Sequence, residues 1–195
     1  MKKYILLALC LASSGVWAQA SRMQFVGSGL VSFGGDKLYQ GNYNTGETFD
    51  ITAGGTYQFN AGANYSLSPV FDVQLTVGYH TSTTNATNGS VDFTRWPVEL
   101  LGFYQFNDKF RIGGGLRQSM DSKTAVSGVG NGVPTYAFKS NPGGVIELQY
   151  LLNTHRHSAA YTTVNLRYVG ESFTEKSTST KINGNHLGIG VSFYR

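Results

Sequence analysis

The sequence predicts an all-β chain: an eight-stranded antiparallel up-and-down transmembrane β-barrel. Three observations carry the prediction. From Phe49 to Leu67 every odd position is apolar, small or aromatic, and no even position carries a large apolar side chain. Side chains alternate between the two faces of a strand, so this segment separates a greasy face from a wet one. Eight segments of strand pattern follow one another, and the connections between them run long, short, long, short, long, short, long. The first 20 residues have the layout of an export signal, with Lys2 and Lys3, an apolar stretch from Tyr4 to Ala12, and Ala18-Gln19-Ala20 as a small-residue cleavage site. Cleavage after Ala18 satisfies the same rule.

The elements follow in order. Met23 to Phe33 opens the series, with an option to continue to Tyr39; Phe25, Val31 and Phe33 oppose Val26 and Leu30, so its facing is weakly written. After the polar stretch Gly41 to Gly46 comes a long segment, Thr48 to Leu67, in which Gly54-Gly55 marks a bend or bulge. Its first half exceeds what a bilayer needs and is expected to stand above the membrane. Ser68-Pro69 is a tight turn. The third segment sets Phe71, Val73, Leu75, Val77 and Tyr79 against Asp72, Gln74, Thr76, Gly78 and His80, and Thr81 to Ser90 reads as a polar loop. The fourth sets Trp96, Val98, Leu100, Gly102, Tyr104 and Phe106 against Arg95, Pro97, Glu99, Leu101, Phe103 and Gln105. Asn107-Asp108-Lys109 turns the chain into the fifth, where Phe110, Ile112, Gly114 and Leu116 oppose Arg111, Gly113, Gly115 and Arg117. A Gly/Ser/Asn-rich connection from 121 to 141 leads to the sixth segment, Ile146 to Leu152, with Glu147 and Gln149 on its polar row. The turn 153–157 precedes the seventh, Ala160 to Tyr168, with Arg167 on the polar row. Residues 172–183 read as a loop, and Leu187, Ile189, Val191 and Phe193 close the series opposite His186, Gly188, Gly190 and Ser192.

Composition narrows the class. No stretch after the signal approaches the roughly 18 consecutive apolar residues of a membrane helix, whereas a barrel strand needs only about 9–11 residues, half of them polar. The chain has 25 Gly, 12 Tyr and 12 Phe but only 13% charged residues, light against the roughly 25% of an average protein. The net charge of +4 includes Lys2 and Lys3, so the exported chain has no basic footprint for nucleic acid. The one cysteine, Cys10, leaves with the signal; the bulky Leu9 before it argues against lipidation. The reading is therefore a signal over 1–20 and one barrel domain over 21–195, exported to the cell outer membrane.

Alternation alone does not say which row faces inward, since a soluble lipocalin-like barrel would bury the same apolar row. Two features favour lipid outside. The polar rows mix long charged residues with glycines, as a crowded small lumen requires, and Tyr and Phe gather near strand ends in the manner of interfacial girdles. The terminal run Leu187-Gly188-Ile189-Gly190-Val191-Ser192-Phe193-Tyr194-Arg195 resembles the C-terminal strand by which outer-membrane barrels are recognised by their insertion machinery, although that family usually ends on an aromatic residue and this chain ends on Arg195. Taken with the signal and the eight segments, the whole mature chain resembles the small OmpA/OmpX-type barrels of Gram-negative bacteria. The resemblance implies a monomer, with outer-membrane lipid, lipopolysaccharide and the insertion machinery as partners. It implies Leu187, Ile189, Val191 and Phe193 as the insertion signal.

The candidate chemistry sits on the polar rows. Arg95, Glu99, Arg111, Arg117, Glu147 and Arg167 all point toward the expected lumen. With 107–109 as the hairpin turn, Glu99 falls opposite Arg117, and Glu147 lies diagonally near Arg167. Charges in a narrow interior must be paired, and eight strands leave room for little beyond side chains. The expectation is a salt-bridged plug with a structural or surface-binding role, served by external loops near 40–48, 81–91, 121–141 and 173–184. A narrow porin-like channel is the main alternative, and a soluble lipid carrier is a further one. His80-Thr81-Ser82 resembles the H-x-S element of lipid A 3-O-deacylases, but no acid is fixed beside it; Asp92 is the nearest candidate. His155-Arg156-His157 lacks a third ligand at diagnostic spacing. Asn85-Ala86-Thr87 and Asn88-Gly89-Ser90 match glycosylation sequons but read as external loop, Arg95-Trp96-Pro97 marks a bulge or the rim, and Gly113-Gly114-Gly115 allows close packing. No catalytic residue, metal or cofactor is expected.

Overall fold

A computed structural model describes residues 22–42, 48–86, 89–128, 136–152 and 160–195. The export signal, His155-Arg156-His157, and part of each sequon lie outside the described residues. Thirteen strands follow in chain order: β1 (Met23–Gly34), β2 (Lys37–Asn42), β3 (Thr48–Thr52), β4 (Thr56–Ser68), β5 (Phe71–Ala86), β6 (Gly89–Gln105), β7 (Phe110–Gly128), β8 (Ala137–Ser140), β9 (Gly143–Leu151), β10 (Tyr161–Gly170), β11 (Ser172–Glu175), β12 (Lys181–Asn183) and β13 (His186–Tyr194). Eight of them, β1, β4, β5, β6, β7, β9, β10 and β13, pair antiparallel with their neighbours, and β13 pairs back onto β1 to close the barrel. Closure leaves no free edge within the ring.

Alternation sets the two surfaces. On β5, Asp72, Gln74, Thr76 and His80 are buried while Phe71, Leu75 and Val77 are exposed. The rule repeats around the barrel, placing Phe25, Phe59, Leu100, Leu116, Ile146, Leu166 and Ile189 outside, each at least half exposed. Soluble monomers seldom expose apolar patches beyond a few hundred Å², so a continuous apolar wall around buried charge is a surface for lipid. Aromatic side chains border it. Tyr79 and Trp96 meet at 5.2 Å at one end, and Phe106, Phe110 and Tyr150 form a chain of ring contacts of 6.1 and 5.1 Å at the other. Leu187, Ile189, Val191 and Phe193 share this outer face, all exposed, while Tyr194 turns inward.

Several sequence expectations are corrected. Thr48 to Leu67 is not one continuous strand: the chain turns at Ala53-Gly54, next to the bend expected at Gly54-Gly55, and β3 pairs with β2 in a separate hairpin. Consequently Ile51 and Ala53 lie in the interior rather than against lipid. Glycine makes the fold-over possible. Gly35 has φ 79°, and a Cβ there would stand 2.4 Å from the Gly54 nitrogen. The weak facing of β1 also resolves, with Phe25 and Phe33 outside and Val26, Leu30 and Ser32 buried; β2 is distinct from it rather than a continuation.

Among the described residues, the segments read as external loops are largely strand. β5 and β6 remain paired up to Ala86 and Gly89, β7 runs to Gly128, and β8, β11 and β12 extend the same sheet. Their Thr- and Ser-rich composition hid this, because a ladder above the membrane needs main-chain hydrogen bonds and no greasy face. β5 spans about 50 Å at roughly 3.3 Å per residue, against about 30 Å for β13, so one side of the barrel stands well above the other. Within the tall wall, the register of β6 with β7 shifts between Thr94 and Trp96. The extra residue lies on β7, where Asp121 takes φ 47°. Pro97, lacking a donor, sits where the β5 ladder is interrupted.

Candidate functional site

The lumen is built in layers, and each layer follows from which residue types the inward rows carry at that height. At the end that holds the tight turns and both barrel termini, Tyr161 and Tyr194 stack at 4.4 Å and pack with Val26 and Leu151 as a floor. Above them Arg111 lies between aromatic faces, its guanidinium carbon 4.5 Å from the ring centres of both Phe103 and Tyr194. Arg111 donates from Nε to Gln149 (2.7 Å) and from Nη1 to Asp72 Oδ2 (2.9 Å). The Tyr194 hydroxyl donates to Gln74 (2.9 Å). Gly113 is required here, since a Cβ would sit 2.4 Å from the Phe103 ring.

The middle layer is a chain of alternating charge. Glu147 Oε2 lies 3.4 Å from Arg167 Nε, Arg167 Nη2 donates to Glu99 Oε2 (2.7 Å), and Arg117 Nη1 donates to the other Glu99 oxygen. Arg117 Nε then reaches Glu171 Oε2 (3.0 Å), and Glu171 Oε1 meets Arg95 Nη2 (3.2 Å). Glu99 stands opposite Arg117 in the ladder, and Glu147 stands directly opposite Arg167 rather than diagonally. All six residues singled out from the sequence are inside, but not together: Arg111 belongs to the lower layer with Asp72. Glu171 joins the middle layer as a partner to two arginines. Among the described residues the buried arginines number four and the buried carboxylates four, Asp72, Glu99, Glu147 and Glu171. The buried arginines and carboxylates therefore balance, four against four.

An apolar cap closes the other end. Ile51 and Ala53 from the folded-in hairpin pack with Phe93, Phe138 and Phe173, and Leu38 and Ile182 border them. Phe93 meets Phe138 and Phe173 edge-on at 5.5 and 5.4 Å. Arg95 lies beneath, its guanidinium carbon 5.0 Å from the Phe93 centroid. Outside the barrel, the Ser177 and Thr178 hydroxyls donate to Glu175 and hold its carboxyl below the ordinary range.

The histidines have contacts relevant to nucleophile activation and to metal binding. Ser32 Oγ lies 2.9 Å from His80 Nε2, the contact a nucleophile and its base would make. Arg117 Nη2, which only donates, faces His80 Nδ1 at 3.1 Å. Arg95 Nη2, likewise only a donor, faces His80 Nε2 at 3.4 Å, so a guanidinium stands at each ring nitrogen and opposes the imidazolium that a general base must become. Ser82 is buried on the same face, whereas Asp92 pairs with Thr83 on the opposite row, away from His80. His80, Glu171 and His186 could offer ligand atoms within 4.8 Å of one another. Yet Glu171 already faces two guanidiniums, and those cations oppose a metal ion at that point.

No protein-family model matches the chain, and none of the curated proteins does. Among solved structures, Ail, the attachment invasion locus protein of Yersinia pestis, in complex with the heparin analogue sucrose octasulfate, is similar with a TM-score of 0.54 at 11% identity, over 90% of this chain and 99% of that one. A second structure of Ail gives 0.50 at 12% identity over the same shares. These likenesses are of fold. The chain has the closed eight-stranded architecture of Gram-negative outer-membrane barrels, and its apolar wall and polar interior are those of an integral membrane barrel.

Proposed function

We propose that this protein is a non-conducting outer-membrane barrel that carries a structural and surface-binding role, with no catalytic step of its own. The observation that supports this best is the lumen: four arginines and four carboxylates buried in charge balance between an aromatic floor and an apolar cap. A conducting path requires hydrated polar groups along its length, and here each buried arginine lies against a buried carboxylate, with an aromatic or apolar layer at either end. The tall wall of β5, β6 and β7 and the annex of β8, β11 and β12 supply the surface for partners outside the cell. Export by cleavage after residue 20 or 18, a monomeric state, lipopolysaccharide around the belt, and recognition of Leu187, Ile189, Val191 and Phe193 by the insertion machinery belong to the same reading.

Planar-bilayer recording of the refolded residues 21–195 tests it. The proposal expects a quiet membrane, with at most rare and brief events. Stable unitary currents from the purified protein would replace it with the narrow-channel reading.

A further inference from the structure

The external end holds a cleft of about 420 Å³ between the β1–β2 link and β12, bounded by Pro142 and Ile182 on its apolar side. The cleft is wide open to solvent, so a ligand would lie across it rather than be enclosed. Asp36, Lys181 and Asn183 on its walls are exposed, and their cross-bracing leaves one end of each polar group facing water and open to a ligand. The Asn183 main-chain N–H donates to Asp36 Oδ2 (2.7 Å), and the Asp36 N–H returns to the Asn183 carbonyl (2.7 Å). The Asn185 N–H donates to Asn183 Oδ1 (2.8 Å), and the Glu171 N–H to Asn185 Oδ1 (3.0 Å). Both carboxamides are thus fixed in orientation by their oxygens. Among the described residues, Asp36 Oδ1, the Nδ2 groups of Asn183 and Asn185, and the Lys181 ammonium have no protein partner.

This set of groups is selective. Two fixed amide donors, an ammonium donor and a carboxylate acceptor can satisfy vicinal hydroxyls, each of which both gives and takes a hydrogen bond. A ring bearing them would lay its C–H face on Pro142 and Ile182. A phosphate would meet Asp36 across the cleft, and a metal ion would meet Lys181. We propose that this cleft binds a neutral saccharide unit presented from outside the cell. The proposal rests on the reading of the loop end as an external binding surface, and it is independent of whether the lumen conducts.

The test uses residues 21–195 in lipid nanodiscs, with amide and side-chain NMR shifts followed during titration with maltotriose and chitotriose, and with glycine, inorganic phosphate and calcium in parallel. A saturable response of the Asn183 and Asn185 side-chain amides to at least one trisaccharide is expected, with no comparable response to the other three probes. The variant carrying Asp36→Asn and Lys181→Gln should bind about tenfold more weakly while keeping its heat-dependent gel shift as evidence of folding. The proposal is overturned if neither trisaccharide saturates these amides, if glycine, phosphate or calcium does so instead, or if the folded variant binds as well as the parent. A conducting lumen with intact saccharide binding would remove the function proposed above and leave this site standing.

Discussion

Glu99→Gln should destabilise the barrel by roughly 3–5 kcal/mol, the usual cost of breaking a buried charge pair by removing one partner. The side chain keeps its shape and loses its charge. In the parent, Glu99 Oε2 takes a 2.7 Å hydrogen bond from Arg167, and Oε1 accepts from Arg117 and, at 3.2 Å, from Gln58. The carboxamide keeps one acceptor and turns two donors toward guanidiniums. Arg167 is left with Glu147 at 3.4 Å, and the four-against-four balance becomes an excess of one positive charge. Arg167→Gln added to Glu99→Gln removes that excess. The double variant should therefore cost less than the sum of the two singles, by about 1–3 kcal/mol of coupling. Urea unfolding of each variant in lipid vesicles measures these differences, with unchanged m values as the check on two-state behaviour. The reasoning fails if Glu99→Gln costs under about 1 kcal/mol, or if the two substitutions add within about 0.5 kcal/mol.

Leu116→Arg, at an exposed position midway along β7, should cost roughly 2–4 kcal/mol in vesicles because the side chain enters hydrocarbon, whereas an exposed site on a soluble protein would lose within about 0.5 kcal/mol. Gly113→Ala should cost roughly 1–3 kcal/mol by forcing the Phe103 ring off Arg111, and a double variant with Phe103→Leu should recover part of the loss. Ile51→Ala, in the apolar cap, should destabilise by roughly 2–5 kcal/mol where the cap is coupled to the barrel. Hydrogen exchange at the Ala53 amide, which donates to Asp36, should then speed up before that of the barrel strands; equal rates in parent and variant would contradict the cap.

The barrel was legible because its strands obey one rule and the turn residues fix their register. Asp72, Gln74, Thr76 and His80 alternate with apolar neighbours over the whole of β5, and Asn107-Asp108-Lys109 places Glu99 across from Arg117. Where both faces carry similar chemistry, the rule loses its signal. Val26 and Leu30 point into the lumen and blur β1, and the Thr-rich upper strands have water on their outer face instead of lipid. Ile51 and Ala53 continue the parity of β4 in sequence while belonging to a hairpin folded the other way, a reversal that depends on Gly34, Gly35 and Gly54 packing backbone to backbone. Glu171 lies beyond the clear alternation of the seventh segment, which ends at Tyr168. It nevertheless continues the inward row Arg167, Val169 by one more step. The meeting of His80, Glu171 and His186 is set by three-dimensional closure, which joins β5, the β10–β11 link and β13 across the lumen.

Trp96 tests the orientation of the whole barrel, since the other tryptophan, Trp17, lies within the first 20 residues. The ring is on the outer face beside Tyr79, at the external border of the apolar wall. For residues 21–195 refolded into vesicles, bromine atoms near the headgroup end of the acyl chains should quench Trp96 fluorescence strongly, bromines near the chain ends less, and aqueous iodide only weakly. Strong iodide quenching with no effect of brominated lipid would mean that this wall faces water, and would contradict the barrel's inverted packing.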